Sequence, residues 1–131
     1  MDYLRLVLSL DYMDKGWEDI KNRDFDGGLE VQRIVYVVQL GGVRLGYFFS
    51  GYPAALTYCE ELATALDDLT ADNVRYLREQ GSLKPTAREK LDRVKPLLLP
   101  PKGVPRANWL DLVALTHFLL HIAYVPPAER A

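Results

Sequence analysis

The sequence predicts a mostly α domain of five or six helices, with at most a small β element near residues 43–52. Three observations lead there. Apolar residues recur at the i, i+3, i+4, i+7 spacing of a helix face, as Tyr3, Leu6, Val7, Leu10 and again as Val31, Ile34, Val35, Val38. Helix punctuation is frequent, with Pro53, Thr70, Thr86 and Asn108 as starts and Gly41-Gly42, Gly81 and Pro96 as stops. Only Val43 to Tyr52 shows a two-residue alternation. A chain of 131 residues, 49% of them apolar, is expected to form one domain over 1–131 with a core of its own.

Taken in order, Tyr3 to Leu10 make a first helix. Met13 to Asp24, carrying Gly16 and many charges, reads as a loop or a short helix. Val31 to Val38 continue as a second helix that the Gly41-Gly42 pair must end. Its β-branched residues are weak helix formers, so packing has to hold it helical, and strand is the competing state for Arg33 to Val38. From Val43, the residues Leu45, Tyr47 and Phe49 would share one side of an extended segment whose length Gly46 and Gly51 limit.

Pro53 suits the first turn of the next helix, with Leu56, Cys59, Ala63 and Leu66 as its buried stripe. Thr70 caps a fourth helix with Leu69 and Val74 placed as a hydrophobic staple, and Gly81 closes it. Thr86 to Glu89 form a capping-box pattern for a fifth helix, which Pro96 terminates. The four prolines of residues 96–106 exclude a regular element there. Asn108 then caps a last helix that Pro126 stops. Its apolar residues, from Trp109 through Leu115 and Phe118 to Ile122, leave a thin polar arc, so it is expected to be the helix around which the others pack.

Composition narrows the function classes. Cys59 is the only cysteine, which excludes an intramolecular disulfide and fits a reducing compartment, so a cytoplasmic protein is expected. The first ten residues carry Asp2 and Arg5 among short apolar runs and match neither a secretory leader nor a membrane span; no membrane partner is expected. The formal net charge is −2, yet nine basic side chains lie in residues 75–106 against Glu79, Glu89 and Asp92. Such asymmetry marks either an anionic partner or two ordinary solvated helix faces.

Catalytic patterns are sparse. His117 and His121 stand i, i+4 on one helix, but no HExxH glutamate lies between them, and a hydrogen-bonded pair within a helical core fits them better than a metal site. Cys59 precedes Glu60-Glu61, an acidic setting that does not activate a thiol. The sequential pairs Glu60-Glu61 and Asp67-Asp68 splay apart on a helix, and neither Gly27-Gly28 nor Gly41-Gly42 continues as a phosphate loop. No metal, no cofactor and no enzymatic activity are expected.

Contact surfaces are better represented. Gln32, Tyr36 and Gln39 fall at i, i+4, i+7 on a helix face distinct from the valine-isoleucine stripe. Tyr47, Phe48, Phe49, Tyr52 and Tyr58 lie close together, and an extended segment cannot turn all of them inward. A corner of Gln32, Tyr36 and Gln39 with Phe48 and Tyr52 is therefore the expected partner-binding site, since exposed aromatics commonly anchor interfaces. The competing site is a nucleic-acid surface formed by Arg75, Arg78, Lys84 and Arg88.

The stretch Val31-Gln32-Arg33-Ile34-Val35-Tyr36 resembles the LQK-(I/V)-Y signature of the YwgA-like family, relatives of the Panacea or SocA-type antitoxin domains. The glycine break at Leu40-Gly41-Gly42, the aromatic Leu45 to Phe49 and the Gly51-Tyr52-Pro53 corner resemble the family's following blocks. Tyr52 separates the family's Gly-Pro pair, and Ala54 stands where serine is usual. The resemblance implies a compact helical, partly winged-helix-like domain. It also implies a non-catalytic role in toxin neutralisation, phage defence or regulation through contact with a protein, one encoded by an adjacent gene being the natural partner. The alternative function is a winged-helix-like regulator that binds nucleic acid through residues 75–106.

Overall fold

A computed structural model of the chain describes residues 3–49 and 58–118. Among the described residues seven α-helices follow one another: α1 (Tyr3–Tyr12), α2 (Trp17–Lys21), α3 (Phe25–Leu40), α4 (Glu60–Asp68), α5 (Ala71–Gln80), α6 (Pro85–Val94) and, after a 3₁₀ turn at Lys95–Leu98, α7 (Arg106–Phe118). The class is mostly α, and the described residues contain no β-strand; residues 43–49 are extended but unladdered. The count exceeds the expected five or six because the charged stretch after Met13 supplies the short α2. Among the described residues no helix is long and apolar enough to cross a membrane.

The hub is α3, which packs against α1, α2, α4, α6 and α7. Every residue from Val31 to Val38 is buried, so burial on all sides overrides the low helix propensity of its valines. The helix starts well before Val31, because the Asp24 side chain accepts the Gly27 N–H at 2.7 Å and caps it. At its other end Gly42 takes the left-handed conformation (φ +99°). The Gly42 N–H then bonds Gln39 O at 3.0 Å and the Val43 N–H bonds Val38 O at 3.4 Å, which is a Schellman closure with Val38 and Val43 both buried beneath it. Gly41 serves a different need: a Cβ there would lie 2.6 Å from Val94 Cγ1, so the absent side chain is what lets α6 close on the end of α3.

Several expected boundaries shift. No helix runs from Pro53 through Leu66, because Cys59 is extended (φ −129°, ψ 111°) and α4 begins at Glu60; Pro53 and Leu56 lie outside the described residues. The buried positions of α4 are accordingly Leu62, Ala65 and Leu66, with Ala63 only half-buried. Thr70 caps α5 as expected through a reciprocal box with Asn73, and both staple residues, Leu69 and Val74, are buried. Gly81 ends α5 in ordinary extended backbone. The box from Thr86 to Glu89 does not form. Pro85 occupies the first helical position of α6, where its fixed φ suits and its missing N–H costs nothing, and that moves the cap to Lys84.

Among the described residues α3, and not the last helix, has the most neighbours. α7 starts at Arg106, two residues before Asn108, with Trp109 N–H bonding Pro105 O at 3.0 Å. It turns Leu110 and Ala114 fully inward but leaves Leu112 55% exposed, as a helix does when it is packed on one side. The side chains of Leu115 and Phe118 lie outside the described set, as do Ile122 and Pro126. Trp109 Nε1–H donates to Leu97 O at 2.7 Å, tying α7 to the 3₁₀ turn that occupies the start of the proline-rich connection.

Three glycine substitutions separate these roles in a urea titration. Gly41→Ala should cost about 1–3 kcal/mol by overpacking Val94, and Gly42→Ala about 1–2 kcal/mol by forcing a side chain into the left-handed region. Gly81→Ala, with extended backbone and only an ordinary contact to Leu4 Cδ2 at 3.9 Å, should be neutral or slightly stabilising. Parent-like stability for Gly41→Ala would show that α6 does not close on α3.

Candidate functional site

The face of α3 that carries Gln32, Tyr36 and Gln39 is contacted by Tyr47, Phe49 and Cys59 and by α7. Gln32 uses its whole side-chain amide on one residue: its Nε2–H donates to Cys59 O at 2.8 Å, and its Oε1 accepts the Cys59 N–H at 2.9 Å. Gln39 does the same to Tyr47, with 2.8 Å to the carbonyl and 2.9 Å from the N–H. A glutamine amide has the same donor-acceptor pair as a peptide group, so each side chain replaces a strand neighbour. Seven residues separate the two clamps, roughly 10 Å along the helix axis. They hold both ends of the intervening chain.

Tyr36 sits between the clamps. Its ring makes edge contacts with Phe49 (centroids 5.3 Å apart) and with His117 (5.5 Å), and its hydroxyl lies 2.6 Å from His117 Nδ1. Burial pushes the Tyr36 hydroxyl up to about 12. Three positions before it, the Arg33 Nε–H donates to Asp111 Oδ1 at 2.8 Å, with the guanidinium buried and the carboxylate on the rim. α7 is thus joined to α3 by polar contacts that include those to Asp111 and His117.

This geometry corrects part of the expected site. Gln32 is 2% exposed and Tyr36 5%, and Gln39 is half-buried, so these three build the corner from within and offer little surface to a partner. Their face does differ from the aliphatic stripe, but the backbone groups of residues 47 and 59 need partners when covered, and these side chains supply them. Phe48 is 88% exposed, as a contact residue should be. Along the extended segment Val43, Leu45 and Tyr47 turn inward while Arg44, Gly46 and Phe48 face out; Phe49, half-buried against Tyr36, continues the inward side as expected. Tyr52 lies outside the described residues.

The competing basic residues do not form one surface. Arg78 makes a two-pronged pair with Asp11 (2.8 and 2.7 Å), joining α5 to α1, and Arg75 pairs with Asp72 at 3.2 Å. Lys84 and Arg88 are exposed and line two different concavities. Cys59 is a buried free thiol, and His121 lies outside the described residues. Among the described residues no three His, Cys, Asp or Glu side chains gather as metal ligands. The Arg33–Asp111 pair was not anticipated. Its only sequence signals are a cation within a β-branched helix and a carboxylate within an apolar one.

Two measurements test the clamps and the tyrosine. Gln32→Leu keeps the volume but strands the Cys59 N–H and carbonyl, and should cost about 2–4 kcal/mol in chemical denaturation; a loss below about 0.5 kcal/mol would show the clamp is not an anchor. For Tyr36 the folded-state value lies above the ordinary tyrosine value of 10.0, so its contribution is present below pH 10 and is lost as pH rises towards about 12. Stability should therefore fall less steeply across that window in Tyr36→Phe than in the parent. Equal slopes would place the hydroxyl in solvent. Comparisons of the chain with protein-family models, with curated proteins and with solved structures find no match.

Proposed function

We propose that the chain is a non-catalytic, cytoplasmic protein-interaction module of antitoxin or phage-defence type, which acts by binding a partner protein through the surface centred on Phe48. The observation that carries this reading is the pairing of an 88% exposed phenylalanine with a buried neighbour, Tyr47, whose backbone is clamped by Gln39. An aromatic on a fixed backbone loses little entropy on binding and supplies a large contact area. Gly46, with positive φ and no atom within 4 Å of where its Cβ would be, gives a partner's backbone close access beside it. The class of partner comes from the resemblance of residues 30–62 to the YwgA-like and Panacea or SocA-type domains. A protein encoded by an adjacent gene is the first to test.

The second reading, a nucleic-acid-binding regulator, retains Lys84 and Arg88, which make no ion pair among the described residues. Arg75 and Arg78 support it less, since each is already neutralised by a carboxylate. Binding through such a face would weaken steeply with added salt.

Tagged protein recovered at native expression should carry a stoichiometric protein partner. Phe48→Ala should weaken that complex by about 2 kcal/mol while leaving the melting temperature unchanged. Recovery with no partner, or a complex indifferent to Phe48→Ala, overturns the reading. Loss of binding in Lys84→Ala and Arg88→Ala, with Phe48→Ala silent, would transfer it to the basic face.

A further inference from the structure

A concavity of about 370 Å³ lies where four parts of the chain meet: the start of α1, the turn after α3, the connection between α5 and α6, and the first turns of α6. Each part contributes one cation, namely Arg5, Arg44, Lys84 and Lys90. No aspartate or glutamate is among the described residues that line it. Its walls are aliphatic, made by Leu4 and Leu8 of α1 and by Leu83, all half-buried.

Arg44, Lys84 and Lys90 are like charges around one hollow and repel one another. Arg44, Lys84 and Lys90 make no ion pair among the described residues; Lys90 Nζ instead reaches the Gly42 carbonyl at 3.3 Å. The start of α6 adds to the imbalance. Lys84 is its cap residue, no side chain caps it, and its first turn holds no acid, the reverse of the usual charge preference at a helix start. The arrangement is unfavourable in the free protein and becomes favourable when an anion enters.

We propose that this concavity binds a small organic phosphate, with the phosphate held among Arg44, Lys84 and Lys90 and the organic part laid against Leu4, Leu8 and Leu83. The size lies within the range of small-ligand sites, and the combination of an apolar wall with a few convergent polar groups is their usual make-up. Arg44 offers the planar fork that suits phosphate oxygens, while the two lysines act as point charges. The site is separate from Phe48 and does not depend on the protein-interaction reading.

Phenyl phosphate, inorganic phosphate and phenol serve as probes in amide NMR titrations of the full chain. Phenyl phosphate should bind more tightly than inorganic phosphate, phenol should not bind, and the shifted amides should be those of Gly42, Arg44, Ser82 and Thr86. The double variant Arg44→Ala/Lys84→Ala should weaken phenyl phosphate at least about tenfold, the loss expected when charge-assisted hydrogen bonds are removed. Lys84→Glu should abolish binding and raise the melting temperature, because it supplies in place the negative charge the hollow lacks. Shifts scattered over α2 and α7, or affinity unchanged in the double variant, would overturn the proposal. So would binding of a mixed-sequence single-stranded 20-mer at this face with no response to phenyl phosphate, which would make it a nucleic-acid surface.

Discussion

The fold depends on the polar side chains that α3 carries into the core. Gln32, Arg33 and Tyr36 are buried within a run of valines and isoleucine, and Gln39 follows one turn on. A buried polar group without a partner costs more than most single packing contacts return, so each of these residues dictates what must lie beside it. Gln32 requires a peptide group and receives Cys59; Gln39 requires another and receives Tyr47. Arg33 requires an anion and receives Asp111, and Tyr36 requires a partner for its hydroxyl and receives His117. Aliphatic packing alone would let the 43–49 segment and α7 settle in several places. These four demands leave one.

The charges outside the core divide in a similar way. Many cations of the acidic-and-basic asymmetry are consumed in holding helices together: Arg78 to Asp11 across α5 and α1, Arg23 to Asp67, and Lys95 over the ring of Tyr12 at 4.9 Å. Such exposed pairs add little stability each. What remains after this pairing is not spread evenly. Arg44, Lys84 and Lys90 come from distant parts of the sequence and end beside one hollow. The net positive stretch 75–106 is thus not one continuous face: Arg75 and Arg78 are paired with carboxylates, while Lys84 and Lys90 line the hollow.

Much of the architecture was legible from residues. The spacing of Leu6, Val7 and Leu10, the Thr70 cap with its Leu69–Val74 staple, and the glycine closure of α3 all follow from local rules, and each is where those rules put it. Errors arose where a distant partner overrode a local signal. Cys59 is extended because Gln32, 27 residues earlier, holds both its backbone groups, and no propensity of residues 53–66 could reveal that. Pro85 outcompeted Thr86 for the start of α6, a conflict between two local rules that the sequence does contain. The contact corner was half legible. The exposure of Phe48 follows from alternation, whereas the inward direction of Gln32 and Tyr36 follows from what covers α3.

The amide clamps also explain why residues 43–49 alternate like a strand without being one. Val43, Leu45 and Tyr47 point into the core as the inner face of a sheet would, and the backbone is extended. A sheet neighbour would bond to the N–H and carbonyl of Tyr47, but Gln39 has both. The side chain of a helix thus takes the place of a second strand, and the segment keeps the rigidity of a paired strand without needing one. Successive side chains of an extended segment point to opposite faces, so Arg44, Gly46 and Phe48, which alternate with the inward residues, are left facing outward. The same interaction that completes the core therefore fixes the backbone next to the exposed Phe48.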